Sequence, residues 1–412
     1  MNVTITPAKL KGTVTPPPSK SQAHRAFIAA ALADGECTVS NVAFSQDIEA
    51  TLRCLEHLGA AFERDGSTVT VRGMGANAMS PLRRMAPPRL DCGESGSTLR
   101  FLIPVALAVC SGGFFSGRGR LMERPLKPYF DLFEEKEISC GQEDGILTVT
   151  GLLSPGEYRL PGNVSSQFVT GLLYALPLLN GDSEIALTSL LESLGYVDMT
   201  LEVLEKFGVR VENQSYERFL VSGNQRFRAR DMTVEADWSQ AGFWYAAAFL
   251  GNPVETAGLD PHSSQDDWVI AAHYETLTRP GDAELDVSDC PDLVPPLAAM
   301  AAVRSGVTRL TNAARLRIKE SDRLASVTRV LGALGADVAE GPDSLTIRGK
   351  DSLAGGVKVD SFNDHRIAMM AAIAATRCVR PVTVTGAECV AKSYPNFWEE
   401  YESLGGKIEK SE

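Results

Sequence analysis

Two kinds of apolar pattern alternate along the chain. In the first, apolar positions recur on one face of a helix, a glycine ends it, and two short alternating runs follow. The clear copies are LRCLEHLGAAFERDGSTVTVRG, LEVLEKFGVRVENQSYERFLVSG and TRVLGALGADVAEGPDSLTIRG. Weaker ones are YFDLFEEKEISCGQEDGILTVTG and the tail EEYESLGGKIEK. Spacing of i, i+3, i+4 predicts an amphipathic helix, and the following period of two predicts a β-hairpin. The glycines of the clear copies pair as Gly59–Gly73, Gly208–Gly223 and Gly335–Gly349, separated by 14, 15 and 14 positions. Each is expected in the left-handed conformation that closes a helix.

The second pattern is apolar on all sides: AFIAAAL, LRFLIPVALAV, FVTGLLYALPLL, FWYAAAFL, LAAMAAV and IAMMAAIAA. A helix with no polar face belongs in the centre of a domain. Several of these lead through a glycine turn into strand-like runs, as in GECTVSNV, GDSEIALTSL and GVTRLTNA. The alternation predicts six units of about 70 residues, each with one buried helix, one surface helix and several strands. Three fall in about 20–222 and three in about 235–412. The opening MNVTITPAKLKGTVT alternates like a strand, and TPPPSK and GNQRFRARDM are candidate crossings between halves. Two crossings place the first strand with the C-terminal half. The expected architecture is therefore α/β, with a first domain over 15–228 and a second built from 1–14 and 229–412. A double hinge is expected near 14–19 and 224–234.

Composition narrows the function. Of 412 residues, 44% are hydrophobic and 22% charged, as in ordinary globular proteins. A net charge of −12 argues against a broad nucleic-acid or anionic-membrane surface, which needs a positive field. The eight cysteines form no CxxC. Cys54 and His57 have a ligand-like gap, but no second pair completes a zinc site. Buried, reduced thiols fit the chain better and suit a cytoplasm. No apolar run reaches the ~18 residues of a membrane span, and the start lacks a signal-peptide core.

Candidate chemistry gathers where the buried helices begin. These stretches read SKSQAHR, GESGSTLR, NVSSQF, DWSQAGF, CPDLVPP and FNDHRIA. Helix starts carry unpaired N–H groups and partial positive charge, so carboxylates are the usual residues there. Lys20, Ser21 and Arg25 stand at the first one instead, an arrangement that suits an anionic ligand between them. The plain alternative is a start capped by Ser19 with both cations in water. Buried helices packed in parallel would turn all six mouths toward one cleft and favour ligands with several negative charges. Further cations lie in GRGRLMERPLK (Arg120, Arg124, Lys127), in RLRIKESDR (Lys319 and Arg323 around Glu320) and in AKSYP (Lys392). Arginine forks suit carboxylate and phosphate, so the set fits substrates bearing both. SGGFFSGRGR lacks the Lys-Ser/Thr ending of a P-loop, and GMGANA lacks the third glycine of a dinucleotide turn. His365 in NDHR is compatible with a general base, a ligand contact or helix-start packing. Asp292, taken alone, reads as a helix cap.

PPPSKSQAHRA, GESGSTLRFL, GRLMERPLKP, VSSQFVTGLL, RIKESDRL, FNDHRIAM and AKSYPNFWEE, in this order, resemble the 5-enolpyruvylshikimate-3-phosphate synthase family. The resemblance covers nearly the whole chain. It implies the inside-out α/β prism, two domains of three units each, closing over the ligands. It implies transfer of the enolpyruvyl group of phosphoenolpyruvate to the 5-hydroxyl of shikimate 3-phosphate, with release of phosphate, on the route to chorismate. No metal or organic cofactor is implied, and the chain is expected to act as a cytoplasmic monomer without a nucleic-acid or membrane partner. Carried over by position, Lys20 contacts both ligands. Ser21, Arg25, Ser165, Ser166, Gln167, Ser193, Tyr196, Asp292 and Lys319 match the shikimate-phosphate set. Gly96, Arg120, Gln167, Arg323, Arg366 and Lys392 match the phosphoenolpyruvate set. Lys20, Asp292, Glu320 and His365 form the implied reaction centre. Glu94 and Arg315 stand where the family commonly has asparagine. Glu94 is unfavourable beside anions unless protonated or bonded to a cation, and is left outside the catalytic set; Arg315 is a possible extra phosphate contact.

Two other readings remain in view. A sister enzyme transfers enolpyruvate to a UDP-amino sugar, typically with a Lys-Asn opening and a loop cysteine acting as acid. Here the opening is Lys20-Ser21, and GRGRLMERP has no cysteine. A nucleic-acid end-binding protein on related repeats would need a basic, aromatic surface that this composition does not offer.

Overall fold

The structure is a computed structural model and describes residues 1–75 and 87–412. The stretch GMGANA at 73–78 lies partly outside the described residues. The chain separates into two compact units, one of residues 18–235 and one of residues 1–17 with 236–412.

A single motif recurs within both units: strand, buried helix, strand, surface helix, hairpin. The first and second strands pair in parallel, and the fourth lies antiparallel between the second and third. In unit 18–235 the first repeat carries helices α1 (Lys20–Leu32) and α2 (Gln46–Leu58). The second carries α3 (Gly96–Cys110) and α4 (Lys127–Glu135), and the third α5 (Ser166–Ala175) and α6 (Leu194–Lys206). The other unit holds α7 (Trp238–Phe249) and α8 (Ile270–Thr278), then α9 (Val294–Ala301) and α10 (Arg323–Leu334). Its last repeat holds α11 (His365–Ala375) and α12 (Phe397–Ser403). Odd-numbered helices are the ones that are apolar all round. α1 is buried continuously from Gln22 to Leu32. In α2, by contrast, Ile48, Leu52, Leu55 and Leu58 face the core, while Arg53, Glu56 and His57 stay exposed. Each unit has its own hydrophobic core, and each buried Leu, Ile or Phe there contributes about 1.5–3 kcal/mol relative to exposure.

Segments distant in sequence close both units. Strand Met232–Thr233 supplies the first position of the sheet that begins the 18–235 unit, beside Glu36–Ser40. Strand Asn2–Thr6 fills the fourth position of the last sheet, antiparallel to Val382–Thr385 on one side and Lys407–Ser411 on the other. The fourth repeat departs from the expected pattern. It has α7, α8 and a short parallel pair, Gly12–Val14 with Val254–Thr256, but no hairpin. The cause is local: α8 ends at Thr278 and the next repeat's first strand begins at Ala283, so only RPGD lies between them and there is no room for a hairpin.

The paired glycines divide into two roles, which corrects the expectation that all are left-handed. Gly59, Gly208 and Gly335 do have positive φ, at 113°, 81° and 101°. Gly73, Gly223 and Gly349 do not. A Cβ on them would collide with the carbonyl of Ala33, Gly181 and Arg304, each in the turn leaving the buried helix of the same repeat. The hairpin end is tucked under that turn, and only hydrogen fits. Close backbone approach also sets the α3–α5 seam. A Cβ on Gly171 would strike the Tyr129 hydroxyl and the Arg100 carbonyl, and that hydroxyl donates to the carbonyls of Arg100 (2.9 Å) and Phe168 (3.0 Å).

Candidate active site

In the 18–235 unit all three buried helices start on a serine. Ser19, Ser95 and Ser165 accept hydrogen bonds from the backbone N–H of Gln22, Thr98 and Gln167. A neutral cap satisfies one N–H but leaves the positive end of the dipole unbalanced, which favours an anion nearby. Lys20 opens α1 and pairs at 2.8 Å with Asp47 of α2, so the cation already has a carboxylate partner. Ser21 is half-buried beside it. Arg25 is buried, and its guanidinium donates to Ser21 O, Tyr196 O and Thr200 Oγ1, each at 2.8 Å. It lies over the rings of Phe101 and Tyr196 at 5.2 and 5.8 Å. Burial lowers its pKa to about 10 despite Tyr174 and Tyr196, which leaves it charged at neutral pH. Ser193 precedes α6 in a left-handed conformation, φ 59°, and its carbonyl accepts from Tyr196 N at 3.2 Å.

Gln167 ties two helix mouths together. Its side chain accepts from Arg100 Nη1 at 2.7 Å and donates to Ser97 Oγ at 3.0 Å. Ser165 and Ser166 begin the same turn, Ser166 buried. Beside Gly96 the two arginines of the loop are placed differently. Arg120 is half exposed, its Nε 3.9 Å from Glu123, whereas Arg124 of the same loop is buried with Nη1 2.6 Å from where a Gly96 Cβ would lie. Lys127 is exposed and pairs with Asp131. Glu94 folds onto the loop at Gly119, where a Cβ would lie 2.6 Å from its Oε2.

The other unit gathers charge at the starts of α7, α9 and α11, helices that pack on one another. α7 and α11 are capped by Asp237 and Asp364, and α9 is reached through the short turn Pro291–Leu293. Buried Arg323 is the hub. It donates to Asp364 Oδ2 at 2.8 Å, to Asp292 Oδ1 at 2.7 Å and to Glu320 Oε2 at 2.7 Å. Arg366 reaches Asp292 Oδ2 and Ser239 Oγ, both at 2.9 Å, which joins all three mouths. Lys319 Nζ lies 3.7 Å from Asp292. Among these residues the carboxylates of Asp292, Glu320 and Asp364 balance Lys319, Arg323 and Arg366.

That balance sets the titration. Burial pushes the Asp292 pKa up, but Arg366, Lys319 and Arg323 together hold it well below the usual carboxylate range. Asp292 makes no side-chain cap. Burial lowers Lys319 to about 8, with Asp292 opposing. Asp364, Glu320 and Asp292 raise the Arg323 pKa over the opposite pull of burial. His365 is buried with Nδ1 4.0 Å from Asp364 Oδ1. Lys392 is buried and donates to the Asn363 carbonyl at 2.6 Å. Arg315 donates to the Ser288 carbonyl, a backbone tie that the sequence did not suggest.

Four residues escaped sequence reasoning in whole or part. Asp364 had a signal, a cap residue immediately before HR in FNDHR, and Arg100 ends the polar start GESGSTLR. Arg124 was one of three loop cations with nothing local to rank them. Asp47 had no signal, because its partner lies 27 residues away.

The sequence profile of EPSP synthase (3-phosphoshikimate 1-carboxyvinyltransferase) matches residues 5–401. The 3-phosphoshikimate 1-carboxyvinyltransferase of Clostridium kluyveri is 46% identical, over 99% of this chain and 98% of its own. That of Clostridium novyi is 44% identical over the same shares. The solved EPSP synthase of Acinetobacter baumannii superposes with a TM-score of 0.79 at 25% identity, covering 99% of this chain and 100% of that one. With 46% identity across almost its full length and a matching inside-out two-domain α/β fold, the chain belongs to the EPSP synthase family.

Proposed function

We infer that the chain transfers the enolpyruvyl group of phosphoenolpyruvate to the 5-hydroxyl of shikimate 3-phosphate and releases phosphate. The observation that carries this reading is the near full-length match to relatives bearing that name. The reaction is an addition followed by an elimination. The hydroxyl oxygen attacks C2 of phosphoenolpyruvate while its own proton goes to a base, and C3 accepts a proton to become a methyl group. The resulting tetrahedral carbon carries the ether, the carboxylate and the phosphate. The C2–O bond to phosphate then breaks, the methyl returns a proton, and the double bond re-forms.

In this reading the anions bind where cations and helix starts coincide. Ser21, Arg25, Ser165, Ser166, Gln167, Ser193, Tyr196 and Lys319 serve shikimate 3-phosphate. Gly96, Gln167, Arg323, Arg366 and Lys392 serve phosphoenolpyruvate, with Arg124 taking the place expected for Arg120. Lys20 serves both. Asp292 is ionised but a poor base while three cations surround it. An anionic substrate that draws Arg366 and Lys319 away raises its proton affinity when a proton must be accepted. Glu320 exchanges the proton at C3, and His365 completes the centre. We take the passages at 17–18 and 235–236 as the hinge between a first domain and one completed by the N-terminal strand. Eight free thiols support a reducing, cytoplasmic setting, and the acidic charge supports a monomer with no nucleic-acid partner. No helix among the described residues is long and apolar enough to cross a membrane.

Phosphate release measured with both substrates, and separately with UDP-N-acetylglucosamine as acceptor, tests the reading. Release only with shikimate 3-phosphate is expected. Release only with the UDP-sugar would transfer the chain to the sister activity.

A further inference from the structure

His24 is a fully buried histidine that the reaction scheme leaves without a task. Its Nδ1 lies 2.7 Å from Thr51 Oγ1 on α2, and Thr51 Oγ1 lies 2.6 Å from Thr98 Oγ1 on α3. Thr98 Oγ1 donates to Ser95 Oγ at 2.7 Å, and Ser95 Oγ also accepts from Thr98 N. Thr51, Thr98 and Ser95 are all buried.

A hydroxyl has one proton, so the last bond orients the rest. Thr98 spends its proton on Ser95, and Thr51 must therefore donate to Thr98. With the Thr51 proton committed, the bond from His24 can only run from Nδ1–H to the Thr51 oxygen. His24 is thus the Nδ1–H tautomer, neutral, with Nε2 lacking a hydrogen-bond partner among the described residues and the ring edge-on to Phe101 at 6.5 Å. Burial, and after it Lys20 and Arg25, hold its pKa well below the ordinary value, so a second ring proton is excluded near neutrality. Asp47 of α2 is engaged with Lys20.

We propose that His24 is a positioning residue: through Thr51 and Thr98 it forms a directed chain of buried hydrogen bonds that holds the first turn of α3, with Gly96, against α1, with Lys20. The consequence for catalysis rests on enolpyruvyl transfer with phosphoenolpyruvate bound at Gly96. A polar chain with one allowed direction has one geometry, and small displacements of a substrate-positioning turn are costly to binding.

Two measurements on the full-length protein test this. In nitrogen-15 NMR the wild-type His24 should carry its proton on Nδ1 throughout pH 5–9; an Nε2–H tautomer would overturn the chain's direction and the proposal with it. Thr51→Val removes the middle hydroxyl and keeps the branched shape, and Thr51→Ser restores it. Thr51→Val should raise KM for phosphoenolpyruvate about tenfold, with kcat and KM for shikimate 3-phosphate within about twofold, and Thr51→Ser should return it to near wild type. An unchanged KM in the valine variant, equal losses for both substrates, or a serine variant as impaired as valine would each overturn the role. If Thr51→Val does not fold, Thr98→Val against Thr98→Ser asks the same question. A wild-type protein without turnover would defeat the assigned reaction, and the tautomer would then decide the chain on its own.

Discussion

Asp292 shows how a single carboxylate can be read wrongly from its place in the chain. At a helix start it resembles a cap, yet its oxygens are engaged by Arg323 and Arg366 and its proton affinity is held down by cations. Lys319 shares that environment with the opposite sign, and gives a pH prediction. Only the ammonium form pairs with phosphate, so binding is intact below the Lys319 pKa of about 8 and is lost as pH rises through it. Calorimetry should find the Kd of shikimate 3-phosphate about tenfold weaker at pH 9 than at pH 7, while Lys319→Arg should stay nearly flat because arginine keeps its charge. The phosphate's own second ionisation, near pH 6, lies below this window. At Gly96 a methyl group would displace the Arg124 guanidinium, 2.6 Å away. Gly96→Ala should raise KM for phosphoenolpyruvate about tenfold and leave that for shikimate 3-phosphate nearly unchanged; equal changes would remove Arg124 from the subsite. Glu320→Gln should slow solvent deuterium entry at C3 by roughly 10²-fold with substrate binding retained. Wild-type exchange in that variant would pass the proton-transfer role to Lys20.

At the scale of elements, the paired glycines of three repeats illustrate two separate constraints. One ends a helix by adopting positive φ, and the other lets a hairpin end lie against a carbonyl. Gly349→Ala forces a Cβ into the Arg304 carbonyl and should cost about 1–3 kcal/mol or more, the scale of overpacking. Gly332→Ala, inside α10 with its nearest neighbour, Val338 Cγ1, 3.9 Å from the new Cβ, should instead gain up to about 1 kcal/mol from helix propensity. Thermal melts of the two variants should therefore move in opposite directions; parallel shifts would mean the backbone contact at Gly349 is not what excludes a side chain. The helix starts divide likewise. Serine caps leave a positive pole in one unit, while in the other the aspartate cap Asp364 is paired with Arg323.

For the whole molecule, the N-terminal strand is an interior piece of the unit containing residues 236–412. Val3 and Ile5 are fully buried, and the strand pairs on both edges. Removing residues 2–6 strips two buried side chains, about 1.5–3 kcal/mol each, and exposes two strand edges. The melting midpoint should fall by at least ~10 °C or the protein should fail to accumulate in soluble form. A truncated protein with wild-type melting would show that the strand adds no stability.

Much of this protein is set by local periodicity. Which helices are buried, which are amphipathic, where each starts and where hairpins follow all depend on patterns of two or 3.6 residues, and the chain carries them openly. The polar starts of the buried helices are legible for the same reason. Partner choice is different in kind. Asp47 for Lys20, Arg124 rather than Arg120 at Gly96 and Asp364 inside the Arg323 cluster are each selected by packing between residues far apart in sequence. No local pattern encodes such a pairing, because the energy that decides it, desolvation of a charge against one particular neighbour, exists only once the surrounding core has formed.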